Sequence, residues 1–210
     1  MHPDFWRQRW ADNQIAFHEA QANPLLVAYF EALALPPGSR VFVPFCGKTL
    51  DIDWLLSSGF RVSGAELSSK AVAQLFERLG ASPTVDGLGS IERLSVTGLD
   101  IFAGDFFHLT AGMLGAVDAV YDRAALIALP PAMRGSYARH LRAITADAPQ
   151  LLVTLDYDQT VVDGPPFSVP EAEVRKLYSG SSPVLLSSQF QPAGLKGKFP
   201  VKEAVWKIIR

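Results

Sequence analysis

Five short stretches carry residues that could do chemistry. Phe45-Cys46-Gly47-Lys48-Thr49 sets a thiol beside a glycine, a cation and a hydroxyl, and Glu66 follows nineteen positions after Gly47. Asp105-Phe106 pairs an acid with a ring, Asp122-Arg123 pairs an acid with a cation, and His18-Glu19 lies near the start of the chain. An acid at that distance from a glycine turn, ending a second strand, can accept hydrogen bonds from both hydroxyls of a ribose. An acid beside an aromatic ring suits adenine: the carboxylate accepts from the amino group and the ring covers its face. A guanidinium can hold a carboxylate, and aromatic faces attract a sulfonium.

Other chemistries fit less well. Gly47-Lys48-Thr49 ends like a phosphate-binding P-loop, but that motif needs a glycine five positions before Gly47, where Phe42 stands. Cys46 is the chain's one cysteine. A lone cysteine at a strand end is more often a small buried apolar residue than a nucleophile, which also needs a partner base. Asp51 and Asp53 resemble a metal pair, yet their spacing predicts a polar helix face or first turn. His18-Glu19 has no second histidine four positions on to complete H-E-x-x-H, so no metal is expected. Blander roles also stand: Glu66 as a solvated strand-end acid, Asp105 as a helix cap, Arg123 in a surface ion pair.

These residues need a frame, and the chain supplies alternating strands and helices. "RVFVPF" (40–45), "RVSGAE" (61–66), "LDIFAGDFF" (99–107), "VDAVYD" (117–122) and "QLLVTLDYD" (150–158) read as five strands. "DIDWLLSSGF" reads as a helix stopped near Gly59. "SSKAVAQLFERLG" reads as one capped by Ser68 or Ser69 and stopped by Gly80, and "PAMRGSYARHLRAIT" as a long third. "IERLSV" is expected to hairpin at Thr97-Gly98 into the third strand. Two late runs, "PVLLSSQF" and "EAVWKII", predict an antiparallel edge. The pattern predicts an α/β fold, a doubly wound, mostly parallel sheet, as one domain over 1–210 in which residues 1–35 form an N-terminal helical lid. In such sheets ligands bind beyond the carboxyl ends of the strands, where Phe45, Glu66, Asp105 and Arg123 fall. There is no G-x-G-x-x-G after the first strand, so a dinucleotide pyrophosphate lacks its cradle. A nucleoside without phosphates does not need one; S-adenosylmethionine is such a ligand.

The composition narrows the class. The chain has 210 residues, 49 % hydrophobic, 19 % charged, with a net charge of −2. That is enough for one full core and lacks the basic footprint of a nucleic-acid binder. One cysteine excludes a disulfide framework and suits a reducing cytosol. No apolar run approaches a membrane span, and the first residues lack a basic-then-apolar signal pattern. The expectation is a cytoplasmic protein acting on a small molecule, with neither nucleic acid nor membrane as partner, and a monomer.

Several motifs together resemble the thiopurine S-methyltransferase family in its bacterial form: "FWRQRWADNQIAFHEAQANPLL", "VFVPFCGKTLDIDWL", "GAELS", "GDFF", "VYDRAALIALP" and "YDQTVVDGPPFSVP". The likeness runs in order over nearly the whole chain. It implies a class I methyltransferase fold, a Rossmann-like seven-stranded sheet, and S-adenosylmethionine as methyl donor without metal. It also implies cofactor contacts at Trp10, Phe45, Glu66 and Arg123, to which the strand-end reading adds Asp105. Phe45 replaces the family's usual leucine. Phe17 and His18 would belong to the lid, Arg123 would lie near both ligands, and Phe167, in a proline-stiffened loop, would wall an aromatic substrate. "QPAGLKGKFP" matches poorly, so any substrate groups there are not placed. The implied reaction moves the methyl group to an aromatic or heterocyclic thiol such as a thiopurine. Selenium or tellurium species, a halide, and a non-catalytic adenosyl-ligand sensor are the alternatives. A thiol of this kind ionises near neutral pH, and Asp122 or His18 could accept its proton.

Overall fold

The computed structural model describes residues 3–15 and 18–210. Two helices come first, α1 (Pro3–Ala11) and α2 (Pro24–Tyr29), the latter continued by a 3₁₀ turn over Phe30–Leu33. Then follow β1 (Arg40–Pro44), α3 (Asp51–Ser57), β2 (Arg61–Glu66), α4 (Ser69–Arg78), β3 (Thr84–Leu88), β4 (Ile91–Val96) and β5 (Leu99–Ala103). The second half runs α5 (Ala111–Leu114), β6 (Ala119–Arg123), α6 (Pro131–Ile144), β7 (Gln150–Asp156), α7 (Glu171–Leu177), β8 (Ser182–Leu195) and β9 (Phe199–Ile209).

Among the described residues one sheet has nine strands, ordered β3-β4-β5-β2-β1-β6-β7-β9-β8. β5, β2, β1, β6 and β7 run parallel, β9 joins β7 antiparallel, and β8 joins β9 antiparallel. The sheet has nine strands where seven were expected: the β3-β4 hairpin extends the far edge, with β4 pairing to β5 through the turn expected at Thr97-Gly98. β3 escapes a pattern reading because Thr84, Val85, Asp86 and Gly87 are all exposed, so it lacks an apolar face. The third predicted strand also ends early. Gly104, at φ +146°, turns the chain after Ala103, and Asp105 caps a 3₁₀ turn over Phe106–His108.

Strand alternation builds a core on each side of the sheet. Phe42, Phe102, Val120, Leu152 and Trp206 face α6 and α7, packing on Tyr137, Leu141, Val174 and Tyr178. Val41, Val43, Val62, Ile101, Tyr121 and Val205 face the other way, onto Ile52, Leu55, Val72 and Leu75 of α3 and α4. Leu25, Leu26, Phe30 and Leu33 belong to this second core. The first 35 residues are therefore not all lid: α2 and its 3₁₀ turn are core, and α1 is the part that overhangs the strand ends. α4 shows the local logic. Ser68 Oγ accepts from Ala71 N–H, and Ala71, Val72, Leu75 and Phe76 form the buried stripe.

Candidate functional site

The strand order reverses between β1 and β6, and a crevice opens at such a switch point. There the strands end in a cavity of about 990 Å³, large enough for two small molecules. β2 and β5 end on one side with Glu66, Gly104, Asp105 and Phe106; β6, β7 and β9 border the other with Arg123, Leu155 and Glu203. Trp6, Arg9 and Trp10 of α1 and residues 194–197 of the β8-β9 hairpin complete the walls.

The β1 end explains the Gly-Lys-Thr sequence. The chain leaves Pro44 through Phe45 at φ +50° and Gly47 at φ +53°. A Cβ on Gly47 would sit 3.0 Å from Cζ2 of Trp10, so glycine is needed for both conformation and space. Glu66, buried, faces this turn. Its Oε2 accepts from Gly47 N–H at 2.8 Å and its Oε1 from Ser68 N–H at 2.7 Å. Burial raises its pKa, and these backbone donors pull it back. Each oxygen keeps a lone pair for a hydroxyl donor. Cys46 is buried with its thiol pKa pushed well up by burial and its sulfur filling the space beside Gly64. It packs, and a raised thiol pKa disfavours the thiolate that a nucleophile needs.

Phe45 meets Phe106 edge-on at 5.3 Å between centroids and tilts on Tyr137 at 5.5 Å. Asp105 lines the cavity while its carboxylate accepts from Phe107 N–H at 3.0 Å, so it caps and faces the site at once. Arg123 ends β6 and forms an ion pair with Glu19, whose other oxygen accepts from Asn23 Nδ2 at 3.3 Å. His18 lines the same wall. Burial, with Lys48, Arg78 and Arg123, lowers its pKa, which keeps the imidazole neutral at pH 7.

Several expectations change. Asp51 and Asp53 do lie in the first turn of α3, but Asp51 is not on a polar face: it is buried, its carboxylate accepting from Asn23 N–H at 2.7 Å and Tyr121 O–H at 3.1 Å. It ties the N-terminal segment to β6. Asp122 is not among the cavity-lining residues; its carboxylate accepts from Tyr137 O–H at 2.7 Å, Leu126 N–H at 3.2 Å and Gln150 Nε2 at 3.3 Å. That removes it as a direct proton acceptor. Phe167 is likewise absent from the lining. Its ring lies against its own loop, where a Cβ on Gly164 would meet it at 2.3 Å, with Arg134 over it at 5.9 Å. Pro165 and Pro166 present the wall instead. Phe17 lies outside the described residues. No group of three or more His, Cys, Asp or Glu side chains suited to a metal occurs among the described residues.

Sequence reasoning weighed Glu19 only beside His18 as part of a metal motif and missed its pairing with Arg123, left the hairpin tip around Lys196 unplaced, and missed Glu203. Glu19 needed its partner Arg123, far off in sequence. Glu203 needed the register, which sets it opposite Leu155 on β7. Nothing local marks either.

An open sheet with an acid ending β2, aromatics around the β1 turn and a two-sided cavity at the switch point defines a class I methyltransferase fold. Solved structures agree on the fold. A Burkholderia thailandensis 1,6-didemethyltoxoflavin-N1-methyltransferase, with bound 1,6-didemethyltoxoflavin and S-adenosylhomocysteine, superposes at TM-score 0.66 with 18 % identity over 99 % of this chain and 87 % of its own. A Synechocystis magnesium protoporphyrin IX methyltransferase with bound S-adenosylhomocysteine gives 0.66 and 18 % over 100 % of both chains. Within that class the chain belongs to the thiopurine S-methyltransferase family: residues 1–205 match the family model described as Thiopurine S-methyltransferase (TPMT). It is 55 % identical to the thiopurine S-methyltransferase of Xanthobacter autotrophicus over 100 % of both chains, and 48 % identical to that of Gluconobacter oxydans over 97 % of this chain and 93 % of the relative.

Proposed function

We propose that the protein transfers the methyl group of S-adenosylmethionine to the sulfur of aromatic or heterocyclic thiols, in the cytoplasm and without metal. The observation that carries this reading is the division of one cavity at the switch point: Glu66 and Asp105 on one side, Arg123 and Glu203 on the other. S-adenosylmethionine, when bound, supplies a methyl group already activated on a sulfonium.

The residues present fit that ligand. Glu66 has the lone pairs to take ribose hydroxyls, and its backbone donors hold both oxygens in place. Asp105 and Phe106 would meet the adenine, one accepting from its amino group and the other covering its face. The Gly47 turn lets the chain pass close to the methionine moiety, with Trp10 and Phe45 as aromatic walls beside the sulfonium. Arg9 lines the cavity and its Nε is buried without a hydrogen bond among the described residues, which makes its guanidinium the candidate partner for the tail carboxylate. On the other side, Arg123 stabilises the anionic form of a thiol by its charge, His18 borders it, and Pro165 and Pro166 form an apolar wall for the ring. The helix α1 and the hairpin tip at 194–197 cover the site and exclude water. Alignment of two bound molecules then supplies most of the rate, for which effective molarities reach ~10⁵ M.

The test is incubation of the purified protein with methyl-labelled S-adenosylmethionine and a panel: an aromatic thiol, a thiopurine, selenite, tellurite and iodide. Labelled thioether with matching S-adenosylhomocysteine is the expected result. Product from only the inorganic species would replace the thiol reading, and tight S-adenosylhomocysteine binding without any turnover would replace it with a sensor.

A further inference from the structure

One carboxylate in the cavity has no task. Glu203 lines the wall on β9, opposite Leu155, and its carboxylate makes no hydrogen bond or ion pair with any described residue. It is partly buried, and the charges it senses are those of Arg123 and Glu19. Its neighbours are committed. Glu19 is paired with Arg123 and Asn23, Asp122 is enclosed by three donors, and Glu66 faces the opposite side with both oxygens held by backbone N–H groups.

We infer that Glu203 is the proton acceptor for the substrate thiol, with Arg123 holding the thiolate that results. The inference rests on the thiol S-methyltransferase reading above. The S–H bond breaks, its electron pair stays on sulfur and the proton bonds to a Glu203 oxygen. The sulfur pair forms the new C–S bond to the methyl group, and the pair of the bond that breaks leaves with S-adenosylhomocysteine. Glu203 returns its proton to water after product release.

Charge placement favours Glu203 over His18. A proton on His18 would add a cation in a site where burial, then Lys48, Arg78 and Arg123, already lower its pKa. A proton on Glu203 removes an anion beside Glu19, while the new thiolate takes its place next to Arg123. The net charge around Arg123 does not change, and burial already favours the protonated acid.

A thiol that is ionised before it binds needs no proton acceptor, so thiol acidity is the probe. Wild type, Glu203→Gln and Glu203→Asp are compared on a fluorinated aryl thiol, ionised at neutral pH, and on a benzyl thiol, whose pKa exceeds the ~8.5 of cysteine. Glu203→Gln is expected to lose ~100-fold or more in kcat on the benzyl thiol, the usual range for a lost general base. On the ionised thiol its loss should stay several-fold at most, and Glu203→Asp should recover part of the benzyl activity. S-adenosylhomocysteine affinity should match wild type. Wild type itself should show a solvent deuterium isotope effect on the benzyl thiol and none on the ionised one. Equal losses on both thiols, or no isotope effect on the weakly acidic one, would overturn the assignment of Glu203. Wild type that methylates neither thiol would instead overturn the S-methyltransferase reading.

Discussion

Asp122 offers a quantitative test of the frame behind Arg123. It is fully buried, and burial pushes its pKa from 3.8 up to about 6 despite its hydrogen bonds from Tyr137 and the backbone. The folded state therefore holds the proton more tightly than the unfolded chain. The stability that Asp122 contributes is full below about pH 4 and is lost as pH rises through about 6. At 1.36 kcal/mol per pH unit, the gap of roughly two units is worth about 3 kcal/mol. Asp122→Asn has no proton to lose, so its stability should lack this step. It should lose a pH-independent amount, because its amide nitrogen must face one of the donors that the carboxylate accepts from. The measurement is urea unfolding of both proteins at half-unit steps from pH 4 to 7. The stability of wild type minus that of the variant should fall by roughly 2–3 kcal/mol over that window, most of the full step. Other titrating groups cancel in the difference, and the buried Tyr137 and Tyr178 titrate far above it. A difference that stays flat would refute the reasoning: it would mean that the surrounding donors offset the burial in full.

Glu66→Gln should destabilise the protein by ~1–3 kcal/mol and weaken S-adenosylhomocysteine binding by calorimetry, since an amide cannot accept from Gly47 and Ser68 N–H at once. Arg123→Ala should lower kcat/KM for thiols by more than it raises the Kd for S-adenosylhomocysteine; equal losses would make Arg123 a cofactor anchor alone. Arg134 is buried, donating to Leu129 O at 2.9 Å and Glu173 at 2.6 Å under the Phe167 ring. Arg134→Ala should therefore lower the urea midpoint and raise KM for the thiol, through the loosened Pro165-Pro166 wall, with the Kd for S-adenosylhomocysteine unmoved.

What the sequence made legible follows from where its information lies. β1, β2, β6 and β7 are buried on both faces and read as apolar runs, and α4 carries its own cap and stripe. Glu66 and Arg123 could be placed at strand ends, where they line the cavity, because strand ends can be located from such runs. β3 was missed because it is exposed, and the burial of Asp51 in its first-turn position was not legible because its partners, Asn23 and Tyr121, come from two other elements. The Glu19–Arg123 pair spans 104 positions, and no local pattern predicts it. Phe167 was read as a wall from its neighbourhood of prolines; its ring direction is set by Gly164 and Arg134, which a one-dimensional reading does not bring together.

The backbone itself separates frame from site. Phe45, Gly47, Gly104 and Ala124 have φ of +50°, +53°, +146° and +73°, and each lies just beyond the carboxyl end of β1, β5 or β6. Two of the four are not glycines, and a left-handed conformation at a residue with a side chain costs on the order of 1–3 kcal/mol. That cost is concentrated where the chain must leave a buried strand sharply. At β1 it brings the Phe45 ring onto Phe106 and the Gly47 N–H onto Glu66. At β6 it turns the chain immediately after Arg123, so that Leu126 N–H returns to Asp122 and locks the strand end behind the guanidinium. The two-sided core offsets the strain, and the strained turns fix the atoms that face the cavity. On this argument, substitutions that relax these turns should preserve or raise stability while loosening the site, whereas substitutions in the core should lower stability without changing ligand preference.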